Sequence, residues 1–593
     1  MVVLSWMWGI VKGVLNGIAR AVVVVLILVL VLAGVAFFSG DGISGNTVLE
    51  LDLRKAMDDK STASLFDIGD GKVSIMDVVL GLDRAARDPR VKGVFLRVGS
   101  GDLSVPKAEE LRDALKHFKE SRKFVIAHSQ SFYSGGLGDY TAAAAADEIW
   151  MQPVSTFFSA GASSTTMFFK GLFDKVNAAP QFVQRYEYKN AANVFTETDF
   201  TPAHREATLR VLQSWYDSAT AEAASDRKLD RAALISVLDA GPATVETVKD
   251  KGLITNIGYD DDARDAAKSQ AGAGATVTRF ERYVQATRNR GTGGAGASTI
   301  ALVHAAGDIV EGGDDNPLSG SSASVAGDTF SEAIRDAAAD KNVKAILLRV
   351  DSPGGSAIAS DQILQALKKA RAAGKPIVVS MGSVAASGGY YIAVAGDRIV
   401  AQPGTLTGSI GVLWGKFAVG KSLEMVGLEA RELGVGKNAL FLSGIAPWDV
   451  NQLAAVNAQA DLVYNDFTQK VAAGRKMPLE RVQQVARGRV WTGADAKERG
   501  LVDELGGFWV AVADVKQLAG IAPDATVAFK NFPAPHGLVG AVSRMIGSSS
   551  ASLKALDGLN NLMQAAPVKA LMDVAHAMPE GGVQLRATGL PGL

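Results

Sequence analysis

Apolar runs alternate with polar, glycine-ended joints through most of this chain. The clearest stretch runs from Leu348 to Val412. Ala345 to Val350 is a continuous apolar run broken only by Arg349, and it stops at Asp351-Ser352-Pro353-Gly354-Gly355. Ile363, Leu364, Leu367 and Ala370 then recur at helical spacing. A second apolar run, Ile377 to Met381, is followed by Ala385-Ala386-Ser387-Gly388-Gly389-Tyr390-Tyr391, which opens another apolar helix. The pattern predicts a strand, helix, strand, helix unit with glycines at the strand ends, the α/β layout that gathers chemistry at strand ends and helix N-termini.

The same pattern occurs earlier. Thr47-Val48-Leu49-Glu50-Leu51 answers Thr299-Ile300-Ala301-Leu302-Val303, and Val91 to Val98 answers Val343 to Val350; 299 − 47 and 343 − 91 both give 252. Asp147-Glu148-Ile149 answers Asp397-Arg398-Ile399 at an offset of 250. Two copies of one α/β domain are therefore expected rather than an array of short repeats. Their bounds are read as 47–290 and 298–531, joined through Gly291-Thr292-Gly293-Gly294-Ala295-Gly296. Gly312 to Gly327 reads as a polar solvent loop.

Ahead of the first copy, Ala21 to Phe38 is an unbroken apolar run, just long enough to span a bilayer. Lys12 and Arg20 precede it and no positive charge follows until Arg54, which orients the bulk of the chain outward. A poor cleavage site at Ala33 to Ser39 favours an uncleaved anchor over a signal peptide. Residues 1–46 are read as stub, transmembrane helix and linker. Residues 532–593 are read as a helical tail, with amphipathic segments at Leu553 to Met563 and Val568 to Met578.

The chemistry this pattern suggests is acyl transfer. Ser387 stands where a helix begins, among small residues, and the Gly388 N–H points from that positively polarised end. Gly354 or Gly355, at the end of another strand, offers a second N–H. Two converging donors make an oxyanion hole, worth ~3–4 kcal/mol per donor in a transition state. The first copy lacks these parts: Ser100-Gly101-Asp102-Leu103-Ser104 replaces Ser352-Pro353-Gly354-Gly355-Ser356, and Leu137 falls in register with Ser387. Ser134-Gly135-Gly136 mimics the motif three residues out of register.

Composition narrows the alternatives. Without cysteine there is no thiol catalysis and no disulfide. Six scattered histidines give no metal-ligand spacing, and a net charge of −1 gives no reason to expect a nucleic-acid partner. A serine nucleophile here needs a base, and a lysine serves if burial brings its amine from ~10.4 down to near 7–8. Composition does not choose among the lysines.

In order and spacing, SPGGS, AASGGYY and TGSIGV resemble the peptidase domain of the signal peptide peptidase A (protease IV) family. That resemblance implies tandem ClpP/crotonase-like domains, a Ser–Lys dyad with Ser387 as nucleophile, and Ser409 orienting the lysine. In the two-domain form the lysine comes from the first domain, in a Tyr-Lys motif followed by small residues, which is Tyr188-Lys189-Asn190-Ala191 here. It further implies no metal or cofactor, leftover signal peptides and other apolar peptides as substrates, a homotetramer, and a single-pass inner-membrane protein with periplasmic catalytic domains.

Lys437 is a rival base. Gly436-Lys437-Asn438-Ala439 repeats Lys-Asn-Ala, 50 residues after Ser387 (437 − 387), a spacing close to that of single-domain relatives. Strand alternation would also place Glu187 on the face of Lys189, where its charge would oppose a lowered amine pKa. Two further classes stay open: a crotonase-type acyl-CoA enzyme and an inactive membrane scaffold.

Overall fold

Two parallel sheets carry the chain, one from each repeat. The computed structural model describes residues 43–60, 73–99, 103–133, 136–159, 161–287, 296–313 and 324–533, and the backbone of a strand at 584–586. The apolar run 21–38, the Ser134 decoy and the two segments expected as tail helices lie outside the described residues. Among those described, no helix is long and apolar enough to cross a membrane.

In the first repeat, β1 (Thr47–Asp52), β2 (Val91–Val98), β3 (Phe124–Ser129) and β4 (Glu148–Met151) lie side by side in parallel. The second repeat builds the same core from β8 (Ser298–Ala306), β11 (Val343–Ser352), β13 (Ile377–Ala386) and β14 (Arg398–Ala401). Between them in the chain come β5 (Ala179–Arg185), β6 (Asn256–Ile257) and β7 (Thr276–Arg279), and in the second repeat β9 (Asp308–Val310), β10 (Ser324–Ala326) and β12 (Gly354–Ser356).

The equivalence read from the sequence extends to single hydrogen bonds. Asp147 accepts from the Val125 N–H at 2.8 Å and Asp397 accepts from Ile377 at 2.9 Å. Tyr140 donates to the Leu253 carbonyl at 2.8 Å, and Tyr390 donates to Leu501 at 2.9 Å. The last pair fixes the register of the helix that follows β3 or β13, and it leaves Leu137 where the second repeat has Ser387.

Strand alternation divides the second sheet between two cores. Ala345 and Leu347 face a core shared with the first repeat, while Ile346, Leu348 and Val350 face the opposite one. Beside the shared core, α1 (Val105–Lys119) of the first repeat meets the second, where the Gln402 side chain donates to Asp113 at 3.0 Å and the Phe508 N–H donates to Glu110 at 2.8 Å. A second helix of the first repeat, α2 (Pro202–Arg227), also grips the second repeat. Trp215 donates to the Gly404 carbonyl at 2.7 Å, and Ser214 meets Thr492 at 2.8 Å. Glu109 on α1 accepts from the Gly404 N–H at 2.8 Å. Two first-repeat helices thus hold the turn that leads into β15 (Leu406–Gly408) and Ser409.

A buried ion cluster ties the repeats as well. The Arg349 guanidinium donates to Asp59 at 2.7 and 3.0 Å and to Glu110 at 2.8 Å, and His304 Nε2 lies 2.6 Å from Asp59. Burial pushes Asp59 upward, but Arg349 and His304 outweigh it and hold the carboxyl far below its usual range. Glu110 goes the other way: burial outweighs its single arginine bond and raises it. Removing the arginine would strand two buried carboxylates. Arg349→Met is expected to cost about 3–5 kcal/mol, seen as a lowered urea midpoint; an unchanged midpoint would contradict this role.

Candidate active site

Ser387 sits at the end of β13, one residue before the short helix α3′ spanning Gly388–Ala393. Its backbone is unusual, with φ 56° and ψ −116°, a conformation that costs a non-glycine residue of order 1–3 kcal/mol. Neighbouring bonds hold it there. The Ser387 N–H donates to the Gly408 carbonyl at 2.8 Å, and the Tyr391 N–H donates to the Ser387 carbonyl at 2.9 Å. In the first repeat Leu137 occupies this place with ordinary helical angles, φ −87° and ψ −25°.

The partner for that hydroxyl comes from the other repeat. β5 runs antiparallel to β16 (Val412–Ala418), in register from Arg185 opposite Val412 to Ala179 opposite Ala418. Four residues beyond Arg185 is Lys189, and three before Val412 is Ser409. The pairing therefore delivers Lys189 beside Ser409. The Lys189 Nζ lies 2.8 Å from Ser387 Oγ, 2.9 Å from Ser409 Oγ and 3.0 Å from the Ser409 carbonyl oxygen. The side chain is 1 % exposed and Ser387 is 0 % exposed. Burial alone lowers the Lys189 amine to about 7.

Glu187 does not oppose that shift. The expectation that it shares a face with Lys189 is wrong, because β5 stops at Arg185 and the chain turns, with the Lys189 N–H donating to the Tyr186 carbonyl at 3.0 Å. Glu187 instead forms a two-pronged exposed pair with Arg487, at 2.7 and 2.9 Å. Lys437 is exposed, in a stretch of turns and bends between Leu428 and Asp449, and makes none of the bonds to Ser387. The Lys-Asn-Ala repeat thus marks equivalent positions of the two copies, of which only the first is folded into the site.

Gly354 and Gly355 lie against the start of the Ser387 helix. A Cβ on Gly388 would come within 3.1 Å of Gly354 Cα and 3.2 Å of the Gly355 nitrogen. Both glycines have positive φ, 109° and 147°, which the close approach of backbones requires. The Gly354 N–H donates to Ser352 Oγ at 3.2 Å, and Gly355 stands in register with Ile309 on one side and Leu585 on the other.

Gly488 has a part of which the sequence carries little sign. With φ 82°, it lies so close to Lys189 that a Cβ would stand 2.5 Å from the lysine Cβ. Its flanks frame the site: the Arg487 carbonyl accepts from the Tyr186 and Tyr188 N–H groups, and the Arg489 carbonyl accepts from the Ser409 N–H at 2.7 Å. The only available signal is a glycine between two arginines, which carries no chemistry by itself.

Comparisons with known proteins find the same family in both repeats. The profile of peptidase family S49 matches twice, at residues 117–274 and 369–522, once in each repeat. The chloroplastic serine protease SPPA of Arabidopsis thaliana is 32% identical over 514 residues, covering 85% of this chain and 74% of the relative. Protease 4 of Salmonella typhi is 31% identical over 546 residues, covering 87% and 85%. Protease 4 of Haemophilus influenzae is 30% identical over 470 residues, covering 77% and 75%.

Proposed function

Starting from a chain that belongs to peptidase family S49 and is a serine-type endopeptidase, we propose that Ser387 is its nucleophile and Lys189 its general base. The observation that carries this reading is the 2.8 Å approach of Lys189 Nζ to Ser387 Oγ, with burial the cause of the lowered amine. That distance lies within the reach a general base needs.

The valences of a neutral amine suit its surroundings. Its lone pair accepts the Ser387 proton, and its two N–H groups donate to the Ser409 hydroxyl and carbonyl. Ser387 Oγ then attacks the scissile carbonyl carbon, and the negative oxygen that forms is held by the N–H groups of Gly388 and Gly355 or Gly354. Lys189, now an ammonium, gives its proton to the leaving amine. Water attacks the remaining ester, passing a proton to the same amine, and Ser387 recovers its hydrogen as the peptide acid departs.

The substrates we propose are cleaved signal peptides and other apolar segments, supplied at the membrane to which the run 21–38 anchors the chain with its catalytic repeats on the periplasmic side. A homotetramer fits the same reading: Met425, Val426, Leu428, Leu433 and Val435 stand exposed on one arm, an apolar surface that self-association would cover. A fluorogenic apolar peptide tests the activity. The wild-type chain is expected to hydrolyse it and to leave acyl-CoA thioesters untouched; turnover of the thioester alone would overturn the peptidase reading in favour of a crotonase-type enzyme.

A further inference from the structure

The third sheet of the molecule has an unusual member. Its order is β10, β9, β12, then the strand Gln584–Arg586, then β16 and β5. Gln584–Arg586 runs antiparallel to β12, with Gln584 opposite Ser356, Leu585 opposite Gly355 and Arg586 opposite Gly354. On its other edge Gln584 stands opposite Leu413 of β16. The two walls do not pair with each other; a single strand from far along the chain separates them. Strands lie ~4.8 Å apart, so without it the walls would face one another across a gap one strand wide.

That gap is next to the reacting groups. Gly354 and Gly355 touch the start of the Ser387 helix, and β16 follows Ser409 by three residues. Both walls expose backbone N–H and C=O groups to the gap, a set of donors and acceptors that recognises an extended peptide whatever its side chains. The pairing also sets a direction. A chain lying antiparallel to β12 approaches Gly354 with its C-terminal end, so the residues preceding a cleaved bond are those that line the gap.

We propose that residues 584–586 are a tethered occupant of the peptide-binding groove and compete there with peptides arriving from solution. This rests on the Ser387–Lys189 reading for the identity of the groove. The complete burial of Ser387 fits an occupied groove. Because the occupant belongs to the same chain, it acts at an effective concentration fixed by its tether. A peptide in solution must displace it, whereas a chain lacking it offers the groove directly.

The test separates binding from catalysis by using Ser387→Ala, which cannot turn over. A fluorescently labelled extended apolar peptide is titrated into this variant as the full chain, as a chain ending at Val583, and as the full chain carrying Leu585→Pro, which removes an N–H from the paired strand. The peptide is expected to bind about five-fold or more tightly to both altered chains than to the full one. A synthetic peptide of residues 580–590 is expected to displace it from the shortened chain. Equal affinity for all three chains, or binding to none of them, overturns the proposal. The catalytic reading is judged apart, by turnover of the fluorogenic peptide by the wild-type chain.

Discussion

Ser387→Ala is expected to abolish peptide hydrolysis, lowering kcat by roughly 10⁴–10⁶-fold, in a protein that still folds. The substitution deletes one oxygen. Lys189 keeps its two contacts to Ser409, so no buried donor is left without an acceptor. The strained turn remains, since alanine at φ 56° meets the same backbone limits as serine. The stability change is therefore expected within about 1 kcal/mol. Steady-state hydrolysis of a fluorogenic peptide, with urea unfolding of the same sample, separates the two effects. Retained hydrolysis would remove Ser387 from the mechanism.

Lys189→Met should be as damaging to catalysis, by roughly 10³-fold or more, and it carries a signature in stability that a structural lysine would not. Burial lowers the amine from near 10.5 to about 7 in the folded chain. Between those values the unfolded chain binds a proton that the folded chain does not. Stability therefore rises with pH across that window, by ~1.4 kcal/mol per pH unit. Below about pH 7 both states hold the proton, and the full penalty of burying the charge, on the order of 5 kcal/mol, is present. Methionine fills the same space without a charge. The difference in unfolding free energy between variant and wild type should accordingly favour the variant most near neutrality and shrink as pH rises from 7 to 9. A difference independent of pH would mean that Lys189 stays charged in the fold.

Much of this could be read before any coordinates, for a physical reason. Sheet cores impose apolar runs and strand ends impose glycines, so the repeat at an offset of 252 and the register of Leu137 against Ser387 were both visible. The proposed nucleophile was legible because Ser387 and its glycines are neighbours along one repeat. The proposed base was harder. Lys189 lies 198 residues from Ser387, and what joins them is the pairing of β5 with β16, a contact between repeats that no local pattern encodes. Glu187 departs from strand alternation for the same reason: the strand ends at Arg185, and the turn beyond it is set by contacts with the second repeat. Gly488 acts only through its lack of a side chain beside Lys189, and Gln584–Arg586 joins its sheet through backbone groups. Neither leaves a chemical signature in a single sequence.

The pairing of Ser387 with an uncharged Lys189 across the two repeats is tested most directly by the pH dependence of labelling with a fluorophosphonate, located by peptide mapping. The hydroxyl displaces fluoride from phosphorus, and its rate reports the fraction of neutral amine beside it. The expected result is an adduct on Ser387 whose rate climbs with pH and levels off above about 7, and which Lys189→Met nearly eliminates. An adduct on another residue, or a Ser387 rate that is flat from pH 5 to 9 and indifferent to Lys189→Met, would contradict it.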